Sequence, residues 1–588
     1  MNRQKPYTLY AMLCLAALWV VLFLCAPYIA PFDPETTSIP DRLQDISSTH
    51  LLGTDQLGRD VWSRILYGGK ASLGIAFTII GISGAIGIII GGIAGFSTPR
   101  IDRWLSRLID LVLGFPNMVI AIAFIGIMGP SIMNVIISDG LQDDKFIAER
   151  TEGYEKIKEI VKDYTPERVA QICHIDAEEL RKAAIMYAKA KMAPIIYCLG
   201  VTEHSTGTEG VMSMSNMALL VGKLGREGCG VNPLRGQNNV QGACDMGASP
   251  TDFPGYQKVA NPEVVAKFEK AWNTKLNPNP GLHATDVFPA AIRGEIKGLY
   301  IYGEDPVVTD PDTHHIIKAL ESLDFFVIQE LFMTETAAYA DVILPGVSYA
   351  EKEGTFTNTE RRVQRVRKAV TIPGNARLDT DIIIDLMNRM GYPQPHLTSA
   401  QIMDEVASVT PSFGGISHAR LDSEEVGGKG LQWPCLTKDH PGTPIMHVGK
   451  FARGLGWFYP AEYIPSAELP DEEYPIILMT GRILYHYTTR AMTGKTPELM
   501  EIEGKSFIEM NVEDAEALGI KNGDKVRLTS RRGQIESTAR VGTKVSKGES
   551  WMPFHFPDGN ANWLTNAALD KYARIPEYKV CAIRIEKA

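Results

Sequence analysis

The apolar positions of this chain fall into two regimes. Runs at 9–30, 73–96 and 118–137 are each long enough to cross a bilayer as a helix, and nothing comparable follows residue 138. In 73–96 glycines recur at three- and four-residue spacing, a pattern that lets helices pack closely in lipid. Beyond residue 141 the pattern is that of a folded α/β body. Helical periodicity covers 143–160 and 166–191, and the turn at Asp176 predicts a helix start. Short apolar runs at 193–199, 296–302 and 325–329 each end in a polar loop followed by a helical stretch. Three strand–loop–helix units predict a parallel sheet that binds ligands at the carboxyl ends of its strands. After residue 507 the pattern becomes strand, short helix, glycine turn and strands, which predicts a small barrel.

Charge separates the same two parts. The net charge is −10, yet the first 140 residues carry nine acidic and nine basic side chains, so the imbalance belongs to the second part. A mildly acidic body gives no support for binding a nucleic-acid polymer, which requires a concentrated basic face. The eight cysteines are too scattered for a disulfide scaffold or a CxxC metal clip, and no metal ligands are predicted. Cys173 and His174 are neighbours without a third catalytic group or an oxyanion site, so they read as structure.

The densest chemistry lies at 228–250, GCGVNPLRGQNNVQGACDMGASP, where Arg235, Gln237, Asn238, Asn239 and Gln241 crowd together. Amides offer donors and acceptors to a large polar ligand, glycines allow close backbone approach, and Arg235 offers a planar fork to an oxyanion. An arginine in such a loop serves equally well as a structural tie. Cys244 and Asp245 read as structural. Two further polar strings stand at 340–366 and 481–494. No GxGxxG occurs, so the residues alone lead to an α/β protein with a barrel that binds a nucleotide-like ligand.

Two resemblances add to this. HLLGTDQLGRDVWSRILYGGKASL at 50–73, with the stretch 102–137, resembles the permease subunits of peptide and nickel importers of the ABC class. That resemblance implies a transmembrane α-helical fragment over 1–140, a tether to the inner membrane and a location there. A working permease would also need the family's coupling loop, which lies beyond the matching stretch.

Residues 141–588 resemble the catalytic subunits of formate dehydrogenase in the molybdopterin oxidoreductase family. The strings NPLRGQNNVQGACDMG, ADVILPGVSYAEKEGTFTNTERRVQR, HYTTRAMTG and PEYKVCAIRI carry the likeness. It implies partial α/β domains over 141–465 and a C-terminal β-barrel of double-psi type over 466–588, which binds a dinucleotide. It also implies formate as substrate, two molybdopterin guanine dinucleotides with molybdenum or tungsten, and an electron-transfer subunit or hydrogenase as partner. By position, Arg235 corresponds to the arginine that holds formate, and Gln237 and Asn239 lie in the loop nearest the pterin. Gly200, Glu203, Gly303, Glu304, Asp305 and Gln329 match positions around the nucleotide ends. His486, Thr488, Arg490, Thr493 and Gly494 match the loop that holds the second dinucleotide, and His555, Asn562, Leu564 and Thr565 match the last contacting strip.

The family's 4Fe–4S cysteines and its cysteine or selenocysteine metal ligand would precede residue 141, where the permease-like stretch stands instead. The chain therefore reads as a fusion of two truncated families that is inactive alone, with the enzyme part cytoplasmic if separate. The alternatives are a permease subunit or a membrane-tethered pterin-binding protein without redox activity.

Overall fold

The computed structural model describes residues 22–23, 25–34, 41, 44–55, 59–69 and 124–588, in two compact units, Met1–Phe115 and Pro116–Ala588. In the first unit, buried Asp60 accepts from the Ser63 backbone N–H at 2.7 Å and faces His50 Nδ1 at 3.0 Å. Residues 61–69 are helical.

The expected spans at 9–30 and 73–96 lie outside the described residues, apart from short pieces of the first. The third is corrected. The described part of 118–137 belongs to helix α1, Phe124–Ser138, which has 15 residues and contains Pro130. Such a helix rises about 22 Å, short of the hydrocarbon thickness of about 30 Å. Its residues Met133, Val135 and Ile136 are buried in one cluster with Ile157, Val169, Leu180 and Leu220 of the second unit, and Asn134 Nδ2 donates to the Val161 carbonyl at 2.8 Å. A helix apolar on all sides is buried either in lipid or in a protein core, and here it is the core. No helix among the described residues is long and apolar enough to cross a membrane. The expected transmembrane helices, inner-membrane location and membrane tether are corrected on this ground.

The helices that cover α1 begin and end where the local chemistry requires. In α2, Pro166–Cys173, Thr165 is the N-cap and Pro166 the first residue, and His174 closes the helix at φ 54°. In α3, Ala177–Lys189, the Asp176 carboxylate accepts from the Glu179 N–H at 3.0 Å, the helix start expected from sequence. Cys173 is buried, and desolvation pushes its thiol up to about 11. The Cys173–His174 pair is a helix end.

The expected single parallel sheet is two sheets. Strand β1, Pro194–Tyr197, pairs in parallel with β2, Gly230–Pro233, across the connecting helix α4, Gly207–Leu220. Strands β3, Gly298–Tyr302, β4, Phe325–Glu330, and β5, Val342–Pro345, form a separate parallel sheet in sequential order. Each strand pairs with its nearest partner along the chain, the usual outcome when the crossover is short. Helices cover one face of β3–β5, while Tyr300, Tyr302, Phe325 and Val342 on the other face remain exposed. Strands β6, Gly354–Thr357, β7, Arg362–Val366, and β8, Leu431–Gln432, form an antiparallel sheet.

The C-terminal barrel is closed and six-stranded. It consists of β9, Ile476–Gly481, β10, Phe507–Asn511, β11, Lys525–Thr529, β12, Gln534–Gly542, β13, Glu549–Pro553, and β14, Cys581–Lys587, in the order β9-β13-β10-β12-β11-β14. Its interior is filled by Leu478, Ile508, Val526, Leu528, Met552 and Ile583, which arise from period-two alternation along the strands.

Candidate functional site

Arg235 stands just beyond the carboxyl end of β2, in a loop whose backbone is held by side chains from elsewhere. The Leu234 N–H donates to the Tyr197 carbonyl at 2.7 Å, carrying the β1–β2 pairing one residue further. The Arg235 N–H donates to Thr359 Oγ1 at 2.8 Å and the Asn238 N–H to the Tyr487 hydroxyl at 3.0 Å. Asn239, at φ 62°, precedes the short helix α5, Val240–Asp245, and its Oδ1 accepts from the Thr357 N–H at 2.9 Å. Non-glycine residues rarely adopt that conformation, and asparagine is among those that tolerate it. Gln237 is half-buried in the same loop.

The Arg235 side chain is exposed and anchored at one point only: Nε donates to Gln241 Oε1 at 3.1 Å. The two terminal nitrogens make no hydrogen bond to the described residues. Gln241 Nε2 donates to Asp245 Oδ1 at 2.8 Å, and Asp245 also accepts from the Tyr256 hydroxyl at 2.8 Å and from Trp433 Nε1 at 2.7 Å. Asp245 is fully buried, and desolvation raises its pKa against the pull of these donors.

The residues expected at the nucleotide ends lie at or just beyond the carboxyl ends of β1, β3 and β4. Gly200 lies in the one-turn helix that follows β1, and its carbonyl faces His204 Nε2 at 3.1 Å. Glu203 pairs with Lys579 at 2.9 Å. Gly303, at φ 64°, turns the chain out of β3, and no other residue type adopts that backbone freely. Glu304 is exposed. Asp305 is buried and accepts from the Thr336 N–H and hydroxyl at 3.0 and 2.7 Å, with a further hydrogen bond from Thr489 of the barrel loop. Gln329 is buried, donating to Asp379 at 2.6 Å and accepting from the Tyr300 hydroxyl. Asp310 lies close by, and burial pushes its carboxyl up to about 6.

In the barrel loop the predicted residues mostly serve the protein. His486 Nε2 donates to the Glu503 carbonyl at 2.5 Å while Nδ1 accepts from the Thr493 hydroxyl at 3.0 Å. His555 Nε2 accepts from the Ile483 N–H at 2.9 Å, and Nδ1 donates to the Thr488 carbonyl. Burial depresses the His555 pKa to about 4, so the ring is neutral. Thr488 and Arg490 sit at φ 45° and 54°. The Arg490 guanidinium donates to the Gly504 carbonyl at 3.0 Å and to Asp558 at 2.6 Å, and the Gly494 N–H donates to the Arg490 carbonyl at 2.7 Å. Asn562 Nδ2 donates to the Val308 and Thr309 carbonyls at 2.7 and 3.0 Å, and its Oδ1 accepts from Thr565 at 2.9 Å. Leu564 is buried in the barrel core. The strip 555–565 therefore ties the barrel to the α/β body.

Sequence reasoning missed Thr359, Tyr487, Thr489, Tyr256 and Trp433 as supports of these loops. It also passed over Arg482, whose Nε is buried with no hydrogen-bond partner among the described residues. Trp433 lies 188 positions from Asp245, so no local pattern could have shown the contact. Arg482 opens the GRILYHYTTRAMTG string, where it was legible.

Comparison with known proteins supplies the family. The molybdopterin oxidoreductase family matches residues 131–389, and the molydopterin dinucleotide binding domain matches 476–582. The first match begins inside the stretch claimed for the permease, so the end of α1 belongs to the oxidoreductase and the permease resemblance is withdrawn. A formate dehydrogenase alpha subunit of Methanocaldococcus jannaschii is 50% identical over 461 residues, 78% of this chain and 67% of that protein. Formate dehydrogenase H of Escherichia coli is 40% identical over 471 residues, 79% of this chain and 65% of that protein. The solved acetylene hydratase from Pelobacter acetylenicus shares the fold, with a TM-score of 0.61 at 18% identity, over 79% of this chain and 70% of that one. With half its matched residues shared over two thirds of a formate dehydrogenase alpha subunit, this chain belongs to the molybdopterin oxidoreductase family, as an oxidoreductase of the formate dehydrogenase catalytic-subunit type.

Proposed function

We propose that this chain is a catalytic subunit that converts formate to carbon dioxide only with its cofactor and electron-transfer partner bound, not alone, with Arg235 as the residue that holds the substrate. The observation that carries this reading is the Arg235 side chain, fixed through Nε while its terminal nitrogens remain free. A guanidinium fork matches a planar carboxylate in charge and in geometry. Formate is held as an anion, and carbon dioxide, being neutral, loses the pairing and leaves. Oxidation releases two electrons and one proton for each formate, and the electrons pass to an electron-transfer subunit or hydrogenase.

The residues present fit a bis-molybdopterin guanine dinucleotide. The buried, unpartnered Nε of Arg482 and the free carboxylate of Glu304 offer a donor and an acceptor to such a polar ligand. In this reading Gly200, Glu203, Gly303, Glu304, Asp305 and Gln329 surround one nucleotide end. The loop with His486, Thr488, Arg490, Thr493 and Gly494 and the strip with His555, Asn562, Leu564 and Thr565 shape the other. Gln237 and Asn239 approach the pterin. When bound, the molybdenum or tungsten pterin centre supplies the acceptor for the two electrons of the C–H bond. Among the described residues no group of three His, Cys, Asp or Glu side chains could hold a metal ion, so none is named as its ligand.

The test is turnover of 13C-formate to 13C-carbon dioxide with an artificial dye as acceptor in place of the partner, on full-length protein whose pterin and metal content has been measured. Formate-dependent dye reduction is expected; a cofactor-loaded protein without it overturns the reading.

A further inference from the structure

We infer that Asp245 is a positioning residue for Arg235, acting through Gln241, so that the guanidinium presents its terminal nitrogens as a fixed fork. The inference deepens the reading of Arg235 as the formate anchor and rests on it.

The argument begins with hydrogen-bond parity. A buried carboxylate only accepts, so the end of Gln241 that faces Asp245 must be its NH2 group. The amide oxygen is then left for Arg235, whose Nε can only donate. Turning the Gln241 amide over would break both bonds at once, together with the one that Nε2 donates to the Tyr256 hydroxyl at 3.0 Å. Gln241 and Asp245 stand four residues apart on α5, the spacing that places two side chains on one helix face. Asp245 cannot turn to follow, because Tyr256 and Trp433 hold it from two other directions in a site closed to solvent.

Other fixed arginines show why the intervening amide matters. Arg532, Arg540 and Arg490 each pair directly with a carboxylate, Glu468 at 2.7 Å, Glu503 at 2.5 Å and Asp558 at 2.6 Å. In each pair a terminal nitrogen of the fork is used. Placing Gln241 between Asp245 and Arg235 orients the guanidinium through Nε while leaving the terminal nitrogens, and the positive charge, for an incoming anion. A carboxylate in direct contact would compete with formate for the same donors.

The test uses the full-length chain and chemical modification of Arg235 by phenylglyoxal, followed on its own peptide by mass spectrometry with increasing formate. Wild type, Gln241→Met, Asp245→Leu, which has no acceptor for Gln241, and the double variant are compared. The formate concentration for half-protection is expected to rise about tenfold in each single variant, the effect of one lost hydrogen bond of about 1.4 kcal/mol. The double variant is expected to be no worse, because both substitutions break one chain of contacts. Half-protection unchanged in either single variant, or additive losses in the double, overturns the proposal. A role in packing alone would lower the unfolding midpoint without moving half-protection. If Asp245→Leu does not fold, Gln241→Met decides, since it leaves Tyr256 and Trp433 on Asp245. Formate that fails to protect Arg235 in wild type overturns the substrate assignment instead. The rate of Arg235 modification without formate then still reads the relay: about a tenfold rise in Gln241→Met is expected, and no change overturns it.

Discussion

In the loop at 234–239, side chains hold the backbone and leave one charged group free. In the loop at 482–494, the side chains are themselves consumed in holding backbone. Thr359, Tyr487 and Asn239 fix the path on either side of Arg235, whose guanidinium then has two unoccupied nitrogens. In the second loop and the strip that meets it, both ring nitrogens of His486 and of His555 are taken by Glu503, Thr493, Ile483 and Thr488, and Arg490 is taken by Gly504 and Asp558. The polar content of a loop therefore does not say which atoms meet a ligand. What distinguishes the two loops is where hydrogen-bonding capacity is left over, at Arg235 in one and at Arg482 in the other.

The comparison breaks most visibly at His555. Replacing it with phenylalanine leaves the Ile483 N–H and the Thr488 carbonyl without their partner. We expect a loss of about 3 kcal/mol in denaturant unfolding, from two buried groups left unpaired. An unchanged midpoint would return His555 to the ligand side of the comparison.

The same histidine carries a pH signature. Its folded pKa, about 4, lies below the ordinary 6.5, so the unfolded chain takes up the proton first as pH falls. The stability it contributes is complete above about pH 6.5 and drains away as pH falls towards about 4. His555→Gln should flatten stability across that window; an unaltered profile would place the acid sensitivity elsewhere.

The smallest effects are expected from the backbone holders near Arg235. Thr359→Val removes the acceptor of the Arg235 N–H, at a cost of about 1 kcal/mol in stability. Its functional effect should be larger than that of Tyr487→Phe, which releases Asn238, three residues further on: about fivefold against about twofold in KM for formate. Equal effects would mean that the loop moves as one body.

Much of this was legible in the sequence, and the failures have physical causes. The barrel could be read from the alternation of β11 and β12 and the glycine turns between strands, because one face is core and the other is not. Strands β1, β3 and β4 appeared as apolar runs ending in polar loops. Their division into two sheets did not, since pairing is set by three-dimensional proximity and not by the runs themselves. Helix α1 was misread because an apolar helix looks the same whether Met133 and Ile136 meet lipid or meet Leu180 and Leu220. Asp245 read as structural, and its link to Arg235 was not legible because it depends on Gln241, Tyr256 and Trp433 meeting it, and Trp433 arrives from a distant segment.

The most direct measurement is kcat/KM for 13C-formate in Arg235→Lys against wild type, at equal cofactor content. Lysine keeps the charge and loses the fork. A fall of about 100-fold or more is predicted, as expected when a donor aimed at the reacting group is lost. A lysine variant with the wild-type kcat/KM would contradict the assignment of the substrate to Arg235.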